Sequence, residues 1–273
     1  MTGSTDCVGM LAVAIEAARA GGGELIDRFD TDLDVQWKTW QGEKTIVTDA
    51  DFAADQAIRK VLACHVPDHT IFSEEFPEGD VLGDDVWVID PLDGTDNYSR
   101  GQPQFCVSVA HTSGGVADVA VIYDPIREEM FSATSESSSM LNGHRIEVTT
   151  RTDPSDCSVA WAQRGVNPDD EIRFNAALAE AARVFYRIRL TGSSAIETAW
   201  VAAGRFDGAL FSNVKWWDHA SGGLLVQQAG GQATDVHRHP AGPDSRRCVF
   251  SNGLIHDVML GLASKHGLEI PFS

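Results

Sequence analysis

With 273 residues and 43% hydrophobic content, the chain can bury a sizeable core as one large domain or as two closely packed halves. A formal charge of −19 argues against a general nucleic-acid binder, which needs clustered Lys and Arg, but it admits a small phosphorylated ligand wherever a bound cation reverses the local sign. No apolar run approaches a membrane span, the start Met1-Thr2-Gly3-Ser4-Thr5-Asp6 lacks a signal peptide's basic residues, and five cysteines without a CxxC pair read as free thiols, so a cytoplasmic protein without membrane or nucleic-acid partners is expected.

Between Cys7 and Phe29 the residues Met10, Leu11, Val13, Ala14, Ala17, Leu25 and Ile26 recur at the spacing of one buried helical face. Gly21-Gly22-Gly23 should either break this helix or mark a close-packed site. Val35 to Trp40 is β-prone, Gly42-Glu43-Lys44 reads as a loop, and Thr45 to Asp51 leads into a helical segment from Phe52 to Leu62. Asp49 is placed to cap that helix and Asp51 to sit in its first turn. Ile71 to Ser73 is a strand edge ending on Glu74-Glu75, a pair that by itself is usually solvated charge.

The string Trp87-Val88-Ile89-Asp90-Pro91-Leu92-Asp93-Gly94-Thr95-Asp96-Asn97-Tyr98 carries the chemistry. A buried strand should end at Asp90, because Pro91 removes an N–H from the ladder, and Gly94 permits a tight turn. Asp90 and Asp93 then project from one turn as ligands for a hard cation, and Gly94 and Thr95 open a helix whose free N–H groups favour an anion. Isolated Asp-Pro and Asp-Gly steps are ordinary turn punctuation; the full string is far more specific.

Phe105 to Ala110 and Val116 to Tyr123 read as a hairpin about Ser113-Gly114-Gly115. Met130 to Ala133 and Ile146 to Val148 are further strands, with a turn at Asn142-Gly143. The first half, 1–150, is thus helices on an antiparallel sheet, and Thr149 to Ser155 is the boundary. In the second half, 151–273, Ser158 to Gln163, the helix from Asp169 to Val184 and Tyr186 to Leu190 alternate in an α/β pattern. Gly192-Ser193-Ser194-Ala195 precedes a helix from Ile196 to Ala203 that Gly204 ends; its small residues suit close approach of a substrate or plain capping. Trp216-Trp217-Asp218-His219-Ala220-Ser221-Gly222-Gly223 opens another helix that ends near Ala229-Gly230-Gly231. There Asp218 could be an N-cap, and His219 has no His or Cys partner at ligand spacing. Val249 to Asn252 and Val258 to Leu262 read as a final strand and helix.

The Trp87 to Tyr98 string, the Glu-Glu pair before it and the Trp217-Asp218 motif with its small residues resemble the inositol monophosphatase superfamily over nearly the whole chain. These are magnesium-dependent, lithium-sensitive phosphatases that include fructose-1,6-bisphosphatases and nucleotide 3'-phosphatases. The resemblance implies an α+β / α/β fold, a layered α-β-α-β-α sandwich of the inositol monophosphatase / fructose-1,6-bisphosphatase type, and a homodimer. It implies two or three Mg2+ ions and inhibition by Li+. One ion would use Glu74, Asp90 and the Leu92 carbonyl, a second Asp90, Asp93 and Asp218, and a weaker third Asp51 and Glu74. Thr95, polarised by Asp51, would help Glu74 activate water, Gly94 and Thr95 N–H groups would bind phosphate, and Ser194 would line the substrate pocket.

The implied reaction is direct hydrolysis of a small phosphate monoester, an inositol-1-phosphate-like polyol or a sugar phosphate. Histidinol phosphate, fructose-1,6-bisphosphate and adenosine 3',5'-bisphosphate are the alternatives within the family. There is no Gly-x-Ser-x-Gly elbow to suggest a covalent route. Inositol-preferring members commonly carry a glutamate seven residues before the Trp-Asp aspartate, and here that position is Phe211, expected as an apolar or stacking wall. Lys215 offers a charge for a second anionic group, although a solvated lysine is the plainer reading. Two readings of another class stand beside the enzyme: a regulatory protein that kept the fold without catalysis, and a structural cation binder, for which no EF-hand loop is present.

Overall fold

The computed structural model of the chain describes residues 7–40, 43–162 and 167–271. Cys7–Arg28 forms α1 and Asp49–His65 forms α2, separated by an antiparallel hairpin of Val35–Trp40 (β1) and Glu43–Thr48 (β2). The glycine triplet does not break α1. A Cβ on Gly21 would stand 2.9 Å from Ile58 of α2, and one on Gly22 would stand 2.6 Å from the Tyr123 ring, so these glycines let α1 lie close to its neighbours. Glu43 and Lys44, expected in a loop, already pair in β2; Gly42 lies outside the described residues.

Thr70–Ser73 (β3), Val86–Asp93 (β4), Cys106–Ser113 (β5), Val116–Asp124 (β6), Glu129–Thr134 (β7), Met140–Leu141 (β8) and His144–Arg145 (β9) form one sheet in chain order. Its pairs are antiparallel except β3 with β4, which is parallel. A short helix, α3 (Thr95–Ser99), follows β4. The strand expected at Ile146 to Val148 is instead β9, closed tightly by Asn142 and Gly143 at φ 51° and 79°. Residues 146–148 lie past the ladder, where Ile146 and Val148 donate to the Ser139 and Ala229 carbonyls.

The second sheet runs in the order β11-β10-β12-β14-β13, from Ser158–Ala162 (β10), Arg187–Arg189 (β11), Gly208–Ser212 (β12), Gln232–Asp235 (β13) and Arg247–Ser251 (β14). β10 pairs parallel with β11 and β12, and the other pairs are antiparallel. Gln163, expected to end β10, lies outside the described residues. The remaining helices are α4 (Pro168–Val184), α5 (Ser194–Ala202), α6 (Trp216–Gln228) and α7 (His256–Lys265).

Burial decides the layering. Ala17, Leu25 and Ile58 of α1 and α2 pack on Trp87, Val107 and Val121 of the first sheet. On its opposite face Ile122 and Phe131 meet Ile196 and Ala199 of α5 and Leu225 of α6, which in turn pack on Phe211 and Phe250 of the second sheet. Trp161, Leu210 and Val249 point the other way, against Phe174 of α4 and Met259 of α7. The order is therefore α-β-α-β-α. Because α5 lies between two sheets, nearly all its residues are buried, as expected of a helix that is apolar around its circumference. All strands of the first sheet precede residue 150 and all strands of the second follow it, while α5 and α6 give both sheets one shared core.

Candidate metal centre

Parallel pairing of β3 and β4 brings the first two acids together. Beyond the last β3 residue, the Glu74 N–H still donates to the Ile89 carbonyl at 3.0 Å, which sets Glu74 beside the end of β4. The expected strand end at Asp90 is corrected: β4 continues to Asp93, and its register with β5 slips between Asp90 and Asp93. Pro91, without an N–H, occupies that irregularity, and the Leu92 N–H turns to Asp90 Oδ1 at 3.0 Å. Gly94 then reverses the chain at φ 97°, where a Cβ would also stand 2.7 Å from the Gln104 carbonyl oxygen. Only glycine fits there.

Carboxylate oxygens of Glu74, Asp90 and Asp218 lie within 4.8 Å of one another. Asp90 is almost fully buried, and its pKa is raised well above the carboxylate range by that burial and then by the charges of Glu74, Asp93 and Asp218. Asp218 is raised likewise, by burial first and then by Glu74 and Asp93. Three convergent acids that repel one another, all offering oxygen, match the donor preference of a hard divalent cation, which would remove the repulsion. The residues present therefore fit Mg2+.

Asp51 and Asp218 reach the site by the same device. Thr48 caps α2, and the Asp51 Oδ2 accepts from both the Thr48 N–H and Oγ1 at 2.7 Å, so the cap is Thr48 and not Asp49. The other oxygen, Asp51 Oδ1, lies 3.0 Å from Thr95 Oγ1. Burial raises the Asp51 pKa to about 6, against the pull of the Thr48 bonds. At α6 the Lys215 N–H donates to Asp218 Oδ2 at 2.7 Å, which leaves the second oxygen for the acid cluster. The Lys215 Nζ donates to Asn213 Oδ1 at 3.1 Å.

Asp93 stands apart from the three-acid group. Its Oδ2 accepts from Ser193 Oγ and from the Ala195 N–H at 2.8 Å, and its Oδ1 from Ser194 Oγ at 3.2 Å. The N-terminus of α5 thus clamps this carboxylate. Ser194, expected as a pocket side chain, is buried and committed to Asp93. Thr95 has one hydroxyl proton and two acceptors at 3.0 Å, Asp51 Oδ1 and the Leu92 carbonyl, so it donates to one at a time.

Phe211 departs from expectation. On β12 its side chain faces the middle helices, and the ring is 0% exposed with its centroid 5.6 Å from that of Phe250. It belongs to the core and presents no wall to a ligand. His219 is also buried, with Nε2 3.2 Å from the Ser245 carbonyl oxygen, and burial lowers its pKa to about 4. Sequence reasoning missed Lys38. Its Nζ lies 3.0 Å from Glu74 and 2.7 Å from Glu75, and although burial opposes its charge, these two acids raise its pKa. No local signal marks Lys38, because a lysine in an exposed hairpin reads as solvated. Glu75 is buried to 2% side-chain exposure, and its pKa rises to about 7 through burial and then Glu74.

The family description "Inositol monophosphatase family" matches residues 7–268. The Escherichia coli protein named Nus factor SuhB is 37% identical over 227 residues, 83% of this chain and 85% of that protein. Among solved structures, an IMPase from Thermotoga maritima superposes with a TM-score of 0.85 at 31% identity, covering 96% of this chain and 99% of the other. Inositol monophosphatase from Anabaena (Nostoc) gives 0.83 at 29% identity, with 98% of each chain covered.

Proposed function

Because the chain belongs to the inositol monophosphatase family, we propose that it is a magnesium-dependent phosphomonoesterase acting on a small phosphate monoester, an inositol-1-phosphate-like polyol or a sugar phosphate. The observation that carries this reading is the convergence of Glu74, Asp90 and Asp218 within 4.8 Å under mutual repulsion. The family resemblance would add Asp93, the Leu92 carbonyl and Asp51 as further oxygen ligands. Magnesium in such a site lowers the pKa of water and neutralises charge on a leaving oxygen. The chain's own part is positioning. When the Thr95 proton turns to Asp51, a Thr95 lone pair is left to accept a hydrogen of the attacking water, and Glu74 orients the same water from the opposite strand. Gly94 and Thr95 at the start of α3 supply N–H groups for the phosphate, and Lys215 supplies a charge at the edge of the acid cluster.

Phosphate release from a panel of inositol, histidinol, sugar and nucleotide phosphomonoesters, with magnesium, with chelator and with lithium, tests the proposal. We expect release only with magnesium and its suppression by lithium. Thr95→Val should lower kcat by about 100-fold or more while Thr95→Ser retains most of it. Substantial turnover in chelator overturns the metal mechanism. The same preparation, examined by sedimentation, tests the homodimer that the family resemblance implies.

A regulatory reading has one observation in its favour, the name Nus factor SuhB carried by relatives at 37% identity. Complementation separates the two. If Asp90→Asn, inactive as a phosphatase, replaces SuhB in cells lacking it as well as the wild type does, the regulatory role is independent of the acids. Binding of the wild-type chain to RNA at physiological salt tests the charge-based expectation of no nucleic-acid partner.

A further inference from the structure

A second cluster of metal-ligating side chains lies at the other end of β3 and β4. His69 precedes β3, Asp85 precedes β4 and His111 stands on β5, and one ligand atom from each lies within 4.8 Å of the others. Glu74 lies five positions along the chain from His69, and Asp90 five positions from Asp85. At about 3.3 Å per residue the cluster is roughly 16 Å from the carboxylate site. It is chemically different as well, with two imidazoles and one carboxylate where the first site is all oxygen.

His111 is the informative member. It is 0% exposed, and its Nδ1 lies 2.7 Å from Asp118 Oδ1 on β6. A carboxylate oxygen that only accepts requires a proton on Nδ1, and the neutral ring then has its lone pair on Nε2. That Nε2 is buried without a hydrogen-bond partner, and it faces Asp85 Oδ1 at 3.6 Å with the His69 ring centroid 5.5 Å from its own. Leaving a buried acceptor unpaired is costly. A carboxylate behind one ring nitrogen, with the other nitrogen bare and aimed at two further ligands, is the arrangement that orients a metal-binding histidine.

We propose that His69, Asp85 and His111 form a binding site for a borderline transition-metal ion of the zinc class, with water as fourth ligand and Asp118 orienting His111. Asp85 is half exposed, which gives the ion a way in from solvent. Burial lowers the His69 pKa, which favours the neutral ring that ligation requires. The Trp87 indole N–H donates to His69 Nδ1 at 3.2 Å. An ion taken at Nδ1 displaces that bond, and an ion taken at Nε2 requires the ring proton to move to Nδ1, so either mode breaks the indole contact and should change tryptophan fluorescence.

The full chain, with the carboxylate site filled by excess magnesium, should retain one zinc equivalent through equilibrium dialysis. Cobalt(II) should give the intense visible bands of a four-coordinate ion, together with the fluorescence change. The double variant His69→Ala/Asp85→Ala, altered outside the buried core, should fold and lose the zinc equivalent, the bands and the fluorescence response. Asp118→Asn should weaken zinc binding by about 10-fold or more. Asp90→Asn should leave the zinc equivalent in place. Absence of bound zinc in magnesium-saturated wild type overturns the proposal, as does an equivalent that persists in the double variant or disappears with Asp90→Asn.

Discussion

Asp93 and Ala195 stand 102 residues apart, and the Ala195 N–H donates to Asp93 Oδ2 at 2.8 Å. The bond joins the end of a strand in one sheet to the start of a helix that carries the other. Ser193 and Ser194 reinforce it, so Asp93 accepts three donors from one helix terminus, where the helix dipole also favours an anion. Orientation of this acid thus depends on α5.

Removing that support should act on metal affinity. We expect Ser193→Ala to raise the magnesium half-saturation of turnover by about 10-fold or more, and Ser194→Ala, whose bond is longer, to raise it less. Magnesium titrations of activity check this, with melting in chelator as control. A change in melting temperature with no shift in the magnesium curve would make the serines merely structural.

For Asp90 the sign of the stability effect is opposite to that of an ordinary buried-group deletion. Its folded pKa is raised, so the unfolded chain loses this proton first as pH rises, and ionisation of the folded site costs stability above the usual carboxylate range. Asp90→Asn should therefore abolish phosphatase turnover and, in chelator at neutral to alkaline pH, melt at a higher temperature than the wild type. The advantage should shrink as pH falls into the carboxylate range. Differential scanning fluorimetry across pH reads both.

Glu197, inside α5, is 0% exposed, and burial raises its pKa to about 7 against the hydrogen bonds from Thr191. Between the ordinary carboxylate pKa and about 7 the folded state holds a proton that the unfolded state has lost, so stability falls as pH rises through that window and levels off above it. The loss from this group is roughly 3 kcal/mol when complete. Glu197→Gln keeps an acceptor for Thr191 and cannot ionise, so its melting temperature should gain on the wild type from about pH 5 to about pH 7. Parallel pH profiles of the two proteins would exclude this cause.

Phe211→Glu, which installs the glutamate common in inositol-preferring members, should destabilise the fold. It removes a fully buried ring packed on Phe250 and places a charge in the shared core. A loss of about 3 kcal/mol or more is expected from urea unfolding, with a raised glutamate pKa. A variant as stable as the wild type would mean that position 211 can turn outward to a ligand.

What the sequence determined by itself was local. The Asp-Pro-Leu-Asp-Gly-Thr turn needs a residue without an N–H at 91 and one without a Cβ at 94, and those needs are written in residue identity. Helix starts were legible too, but the caps are Thr48 and Lys215 and not Asp49 and Asp218; Asp51 and Asp218 stand three residues further on, where each uses one carboxylate oxygen to close its helix and keeps the other. Tertiary structure alone decided which groups meet across long separations. Lys38 reaches Glu74 because of how a hairpin lies, Ser194 turns to Asp93 because α5 points at β4, and Phe211 is core because β12 shows that face to α5 and α6. His69, Asp85 and His111 are single residues near three strand ends, without shared spacing, and only sheet pairing sets them side by side. Periodicity reports which face of an element is buried, but not what it is buried against, since that depends on contacts distant in sequence.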